Sequence, residues 1–323
     1  MPSTDVLLVA LGGTAGLRAA DDALAGSVRR AGASLALVRV PRAREPRTFA
    51  LTDLAWAVPA RRAAAGALRD ARPRAVVYSS STAALLWPEP GAIRFDAPAA
   101  GNRPGRHGIW QRPLERRRFT AAPMLLPWSD GALAEAPSPH GPAVVVPVPV
   151  ARSGSPGERD IAAITYGANP VKKGLDRVLA AWHAARRAGE TLVVAGLGGR
   201  DAEGVRYAGM LAPADYRALL RRARVFVTAP RREDYGIAQL EALADGCALV
   251  TTATPGPYAA LPLARALDAR LVGENLAGAL RAALDVPSPG YAERAHVALA
   301  PWAPAAVDAL VRERVLPTLL GSG

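Results

Sequence analysis

The stretch Val225–Gly256, VFVTAPRREDYGIAQLEALADGCALVTTATPG, opens on an apolar run, Val225-Phe226-Val227, that reads as a short buried strand. A polar turn follows. A helix is expected from about Ile237 to Asp245, stopped at Gly246, and a second buried strand from Ala248 to Thr252 before Pro255-Gly256 breaks the chain. Strand, helix, strand predicts a right-handed crossover in a parallel sheet. Ligands of such sheets bind beyond the carboxyl ends of the strands, where Arg231 to Gly236 must lie. Two carboxylates here differ in kind. Glu233 sits in the turn beside Asp234, Tyr235 and Gly236, where unpaired helical N–H groups and the helix dipole favour an anion or a hydroxyl-rich ligand. Glu241 lies inside the helix, about 40° round the wheel from Ile237 and beside the apolar face of Ile237, Leu240, Leu243 and Ala244. A carboxylate bordering a buried face needs a bonding partner. From the residues alone, Glu233 is a helix cap or a ligand group, and Glu241 pairs with an arginine or with a ligand.

Taken together, Glu233-x7-Glu241 in the frame E-D-Y-G-I-x-x-L-E-A-L-A-x-G-C-A-L-V resembles the retaining, nucleotide-sugar-dependent glycosyltransferase family with the GT-B fold (group 1, family 4-like). The resemblance implies an α/β fold of two doubly wound, Rossmann-like domains facing a cleft. It also implies that Glu233 contacts hydroxyls of the donor sugar and that Glu241 takes the nucleotide ribose. The main chain of Tyr235, Gly236 and Ile237 would then face the sugar and diphosphate.

At 323 residues the chain is long for one core and comfortable for two. No run of eighteen apolar residues lacks charges or prolines, so no membrane-spanning helix is expected. The N-terminus leads almost at once into a strand, which leaves no room for a signal peptide. The single cysteine, Cys247, excludes an internal disulfide and fits a reducing cytoplasm. A net charge of +12 and a pI near 10.8 suggest nucleic acid or the anionic face of a membrane. Part of that charge reflects a composition dominated by Ala, Arg, Pro and Gly. Against this background the rare polar residues stand out. Both lysines, Lys172 and Lys173, are adjacent and follow Asn169; Gln239 lies between the two glutamates; Asn102 and Gln111 flank a third cluster.

Along the chain, Asp5 to Ala10 reads as the first strand, followed by Gly12-Gly13 and a helix to about Ala31. The glycine spacing is not G-x-G-x-x-G and so argues against a nicotinamide dinucleotide site; a tight turn and a phosphate- or sugar-facing loop both remain open. Strands follow at Ser34 to Val40, Ala75 to Tyr78 and Ile93 to Phe95, with a helix around Arg61 to Asp70. Ser79 to Thr82 offers helix-capping hydroxyls. Asp96 ends a strand. The segment Gly101 to Gln111, GNRPGRHGIWQ, and the arginines to Arg118 suggest an irregular loop. Within it Asn102, Arg103, Arg106 and Trp110 are expected to bind the acceptor, with His107 and Asp96 near the reacting centre. A surface histidine is the competing reading. Leu125 and Val144 to Val146 mark two further strands. Pro147 to Val150 and Ser153 to Gly157 form the linker, dividing residues 1–150 from 151–302.

The second half begins with a strand, Ile161 to Tyr166, and a turn running to Lys173-Gly174 before a helix through Trp182 and His183. A lysine at such a turn neutralises a diphosphate. The family motif G-R-x(4)-K-G matches Gly167, Lys173 and Gly174 but places Ala168 where the arginine stands; Lys172, Arg231 and Arg232 are the possible substitutes. Thr191 to Ala195 is a strand. Val205 to Leu211, with Met210, resembles the family segment that packs on the nucleotide base. Helices are expected at Pro213 to Arg222 and Asn275 to Leu284, and a last strand at Leu271-Val272. A final helix presents Val307, Leu310, Val311 and Val315 on one side, and the resemblance implies that residues 303–323 return to the first domain.

The expectation is therefore metal-independent glycosyl transfer with retention, from a nucleotide-diphosphate sugar as co-substrate with no further cofactor, to an unknown acceptor. The leaving diphosphate would be held by Lys173 and helix N-termini, since no Asp-x-Asp or His-rich ligand set appears. A same-fold epimerase or synthase is the nearer alternative. A basic nucleic-acid-binding protein is the remoter one, because no aromatic-interleaved RNA platform or recognition helix is present. Peripheral contact with an anionic membrane stays open.

Overall fold

A computed structural model describes residues 4–41, 49–155 and 157–321. Pro156, within the expected linker, and residues 322–323 of the expected last helix lie outside the described residues. The chain forms two compact units: Met1–Pro149 with Pro304–Gly323, and Val150–Ala303. Each is built on one five-stranded parallel sheet.

In the first unit the strands are β1 (Val6–Ala10), β2 (Leu35–Arg39), β3 (Ala75–Tyr78), β4 (Ala92–Phe95) and β5 (Leu125–Pro127), in the order β2-β1-β3-β4-β5. β1 is buried along its whole length because both faces of the sheet are covered. Leu7 and Val9 pack with Trp56, Ala60, Tyr78 and Phe119 on one side; Val6 and Leu8 pack with Leu24 and Val28 on the other. That second face also receives Val307, Val311, Val315 and Leu316 of the C-terminal segment, whose Asp308 forms an ion pair with Arg30 at 2.6 Å.

Several elements depart from expectation. The helix read at Arg61 to Asp70 spans Phe49–Ala71 and accommodates Pro59. Gly101 to Gln111 is not an irregular loop. It holds a helical turn Ala99–Asn102, a 3-10 turn Gly105–Gly108 and the start of the helix Gln111–Ala121, which carries the arginine run. Val144 and Val146 do donate to the carbonyls of Leu125 and Pro127, at 2.9 and 2.8 Å. No strand follows, because Pro147 and Pro149 have no N–H to extend a ladder. Leu271 falls in a 3-10 turn Ala269–Leu271, where Asp268 accepts from the Arg270 N–H, leaving one bridge between Val272 and Thr251. The helices Asp130–Ala134, Ala260–Leu267 and Tyr291–Ala298 have no counterpart in the sequence reading.

The second sheet is composed of β6 (Ile161–Tyr166), β7 (Leu192–Ala195), β8 (Val205–Gly209), β9 (Ala223–Thr228) and β10 (Ala248–Thr251), in the order β10-β9-β6-β7-β8. From β6 the chain winds outward through β7 and β8, then returns to the other side of β6 as β9. The strand order therefore reverses between β6 and β9, and the loops beyond their carboxyl ends flank a topological switch point.

Candidate nucleotide-sugar site

Two loops meet at that switch point. The loop after β6 runs into a short helix, Pro170–Lys173, whose N-cap Asn169 accepts from the Lys172 N–H at 3.0 Å. It ends at Gly174 with φ +62°, where a Cβ would stand 1.9 Å from the carbonyl oxygen of Ala229 in the loop after β9. No side chain fits there, so glycine is what lets the two backbones touch. The Arg231 N–H donates to the Lys172 carbonyl at 3.0 Å and closes the junction. A second glycine fixes the far side: at Gly256, φ +110°, a Cβ would lie 2.3 Å from the Glu233 carbonyl oxygen.

This junction places the paired lysines over the paired acids. Lys173 Nζ lies 2.6 Å from Glu233 Oε2, which also accepts from Gln239 Nε2 at 2.9 Å. Lys172 Nζ lies 2.8 Å from Asp234 Oδ2, and Arg232 Nε 2.8 Å from Asp234 Oδ1. Glu233, Asp234 and Gln239 are buried, whereas the lysines reach in from a more open position. Burial pushes the Asp234 pKa up, but Lys172 and Arg232 outweigh it and hold the carboxyl below its usual range. Of the possible substitutes for the missing arginine, Arg231 is bound to Asp176 at 2.9 and 3.1 Å, while Lys172 and Arg232 share Asp234. Glu233 is no helix cap: the helix Ile237–Ala244 starts at Gly236, φ +92°, without a side-chain cap.

Tyr235 is buried, its carbonyl accepts from the Ala259 N–H at 3.1 Å, and its hydroxyl accepts from Trp302 Nε1 at 3.0 Å. Glu241 has Arg217 as its nearest cation, at a loose 3.7 Å; that guanidinium binds Asp245 more closely, at 2.6 Å. Burial raises the Glu241 pKa against the pull of Arg217, so the carboxylate is under-compensated. Gly167 ends β6 in tight packing, where a Cβ would meet Val194 and Leu175 at 3.3 and 3.4 Å. Met210, just beyond β8, is 71% exposed.

In the first unit the switch point falls between β1 and β3. Gly12, φ +58°, gives its carbonyl to Arg18 at 2.9 Å, with Gly13 next to it, and the Leu11 N–H donates to Ser79 Oγ at 3.0 Å. Asp96 accepts from the Ala97 N–H at 2.9 Å, and His107 is exposed on its 3-10 turn. The residues expected to meet an acceptor are themselves partly structural. Arg103 grips Asp53 with two bonds of 2.9 and 3.0 Å, and Asn102 donates to the Ala97 carbonyl at 3.4 Å. Arg106 is exposed and Trp110 half-buried. Beneath them Glu115 accepts from the Ala99 N–H at 2.7 Å, its pKa pushed up to about 7 by burial.

Residues 161–285 match the family model of glycosyl transferases group 1. This segment belongs to the group 1 glycosyltransferase family. It contains the loops after β6 and β9, with Lys172 and Lys173, and Glu233 and Glu241. Among curated proteins none matches the sequence. Solved structures match across both units. WaaG, a glycosyltransferase involved in lipopolysaccharide biosynthesis, is 16% identical over 98% of this chain and 100% of its own, with a TM-score of 0.69. Sucrose-phosphate synthase from Thermosynechococcus elongatus is 12% identical over 94% and 96%, TM-score 0.73. The Anabaena protein HepE, solved with UDP and glucose, is 13% identical over 97% and 99%, TM-score 0.68. With two parallel five-stranded sheets in this arrangement, the fold is GT-B.

Two participants of the second unit escape a sequence reading. Arg217 and Trp302 carry no local motif, and one arginine among so many gives no signal. Gln239 was visible only as a rare glutamine between two acids; the structure shows it bonded to Glu233. The Gly174–Ala229 contact yields a direct expectation. Gly174→Ala combines a positive φ with a backbone collision, and is expected to cost about 3 kcal/mol or more. The urea midpoint should fall accordingly. A midpoint within error of wild type would show that the loops do not need this approach.

Proposed function

We propose that the chain is a retaining glycosyltransferase that moves a hexosyl group from a nucleotide-diphosphate sugar to an acceptor, without a metal ion or further cofactor. The observation that carries this reading is the ion-paired cluster at the β6/β9 switch point, within the segment that matches the group 1 family. A diphosphate entering there meets Lys173, Lys172 and Arg232 around the N-terminal end of the helix Ile237–Ala244. These groups are suited to the negative charge that grows on the leaving oxygen as the glycosidic bond breaks. Glu233, released from Lys173 by the phosphate, accepts hydroxyls of the donor sugar while Gln239 keeps hold of one oxygen. Glu241, under-compensated by Arg217, takes the ribose hydroxyls. Met210 and its strand β8 would line the base, Gly167 the diphosphate approach, and Gly12-Gly13 the sugar side. HepE, which was solved with UDP and glucose, supports this type of donor. Among the described residues no group of three or more His, Cys, Asp or Glu could hold a metal ion.

The decisive experiment is a thermal-shift panel of UDP-, GDP-, ADP- and TDP-sugars, run with and without EDTA and followed by turnover with the responding donor. One donor should raise the melting temperature in both conditions. Lys173→Ala and Glu241→Ala should abolish that increment; for Glu241 the lost charged hydrogen bonds correspond to about 1.5–3 kcal/mol of binding. The increment, not the absolute melting temperature, is the readout, because Lys173→Ala leaves the buried Glu233 unpaired and lowers stability by itself. Undiminished shifts in both variants would place the nucleotide elsewhere, and a requirement for magnesium or manganese would refute the metal-free reading. An epimerised or unchanged sugar instead of a glycosylated acceptor would point to the same-fold alternative.

His107 and Asp96, with Asn102, Arg103, Arg106 and Trp110, are proposed to serve the acceptor and reacting centre. With saturating donor, His107→Ala should lose most of kcat while the affinity for the nucleoside diphosphate is kept. Unchanged turnover would remove this residue from the active site.

We also propose that the protein resides in the cytoplasm and touches the inner face of the membrane. Among the described residues no helix is long and apolar enough to cross a membrane. Arg106, Arg116 and Arg117 are nevertheless exposed on the same stretch of chain as Ile109, itself 69% exposed, a combination of cations and apolar surface that fits anionic lipid. The protein should sediment with vesicles containing phosphatidylglycerol and not with pure phosphatidylcholine. Equal recovery from both, or from neither, would rule this contact out.

A further inference from the structure

The chain passes from its first unit to its second at Pro149–Val150 and back at Ala303–Pro304. Both crossings are bonded, inside the second unit, to the residues assigned above to the nucleotide. The Val150 N–H donates to the Trp302 carbonyl at 2.8 Å, clasping the two crossings together. Trp302 then turns its indole inward and donates from Nε1 to the Tyr235 hydroxyl at 3.0 Å. Tyr235 directly follows Glu233-Asp234, and its own burial leaves it little freedom to move apart from that loop.

A second chain of bonds starts from the other glutamate. Arg217 faces Glu241 at 3.7 Å, holds Asp245 at 2.6 Å and donates from Nη2 to the Ala151 carbonyl at 2.7 Å. Asp245 in turn accepts from the Ser153 N–H at 2.8 Å and from the Ser153 hydroxyl at 3.0 Å. One guanidinium is thus shared between a proposed ribose acceptor and the outgoing crossing. Ser153, Arg217, Asp245 and Trp302 have no role in the proposed chemistry, yet Asp245 is buried and Arg217 largely so.

We infer that Trp302 and Arg217 are positioning residues that couple the filling of the nucleotide site to the conformation of both chain crossings. A nucleotide that takes Glu241 leaves Arg217 wholly to Asp245 and Ala151, and one that settles the Glu233–Gly236 loop settles Tyr235 and, through it, Trp302. The device is a population shift: the nucleotide favours whichever state of the crossings has both links made, and the ordered crossings favour the nucleotide in return. It rests on the donor-site reading above.

Amide hydrogen exchange tests it, with the nucleoside diphosphate that gives the largest thermal shift among UDP, GDP, ADP and TDP. In the wild-type protein, saturating nucleotide should slow exchange in residues 149–154 and 299–305 by about three- to tenfold, the scale of one hydrogen bond. Trp302→Phe keeps a ring and loses the N–H. It should bind the nucleotide within about threefold of wild type, while the slowing at 299–305 disappears. Tyr235→Phe breaks the same bond from the other end and should lose the same slowing. Arg217→Gln should lose the slowing at 149–154. Crossings that ignore bound nucleotide in the wild type overturn the coupling alone. So does a full response in both Trp302→Phe and Tyr235→Phe, and so does Trp302→Phe that cannot bind nucleotide, which would make the tryptophan a mere support. Absence of any thermal shift in the wild type is a different result: it removes the donor-site reading and this coupling with it.

Discussion

One contact sets the geometry of the second unit: the backbone of Gly174 against the carbonyl of Ala229. Everything proposed for the nucleotide depends on it, because the two lysines and the two acids come from loops some sixty residues apart in sequence. The parallel sheet brings those loops to neighbouring strand ends. Only the absence of a Cβ brings them close enough for lysine and glutamate to share a hydrogen bond. The contact is steric, so it does not weaken with salt or pH, and the charged groups inherit a fixed spacing from it.

The electrostatics built on that contact are unbalanced in a useful way. Glu233 and Asp234 are buried and each has at least one cation in hydrogen-bonding contact, which is what a charge removed from water requires. Glu241, two residues beyond Gln239, is compensated only at 3.7 Å and has its pKa raised by burial. The three carboxylates thus stand in different states before any ligand arrives: two satisfied, one still wanting a donor.

Much of this was legible in the sequence, for reasons that can be named. β6, β9 and β10 are apolar on both faces and stand out as short hydrophobic runs between polar turns. Asn275 announces the helix Leu276–Asp285 and does cap it, accepting from the Gly278 N–H at 2.9 Å. The scarcity of lysine pointed to Lys172 and Lys173, and both lie at the switch point. What stayed hidden depends on partners distant in sequence. Gly101 to Gln111 reads as irregular from its glycines, prolines and arginines, but Asp53, fifty residues upstream of Arg103, fastens the turn after Ala99–Asn102, and Glu115 fastens its start. The helix Ala260–Leu267 was concealed by Pro262, which the first turn of a helix tolerates. Arg217 became visible only once β6, β9 and the helix Ile237–Ala244 were assembled around it.

The ion pairs at the switch point also bear on what this strongly basic protein should ignore. A bare cluster of lysine and arginine would attract any polyanion, nucleic acid included. Here the cations nearest the β6/β9 loops are already occupied by Glu233 and Asp234, so an incoming anion must first displace a buried carboxylate. A DNA backbone, whose phosphodiesters carry no hydroxyl, offers the displaced acids nothing in exchange. A ligand that carries hydroxyl donors beside its phosphates would, on the proposed reading, give Glu233 and Glu241 new partners as it took the lysines. On the proposed donor reading the acids would work as a gate on composition, favouring an anion that arrives with the means to satisfy the groups it unseats.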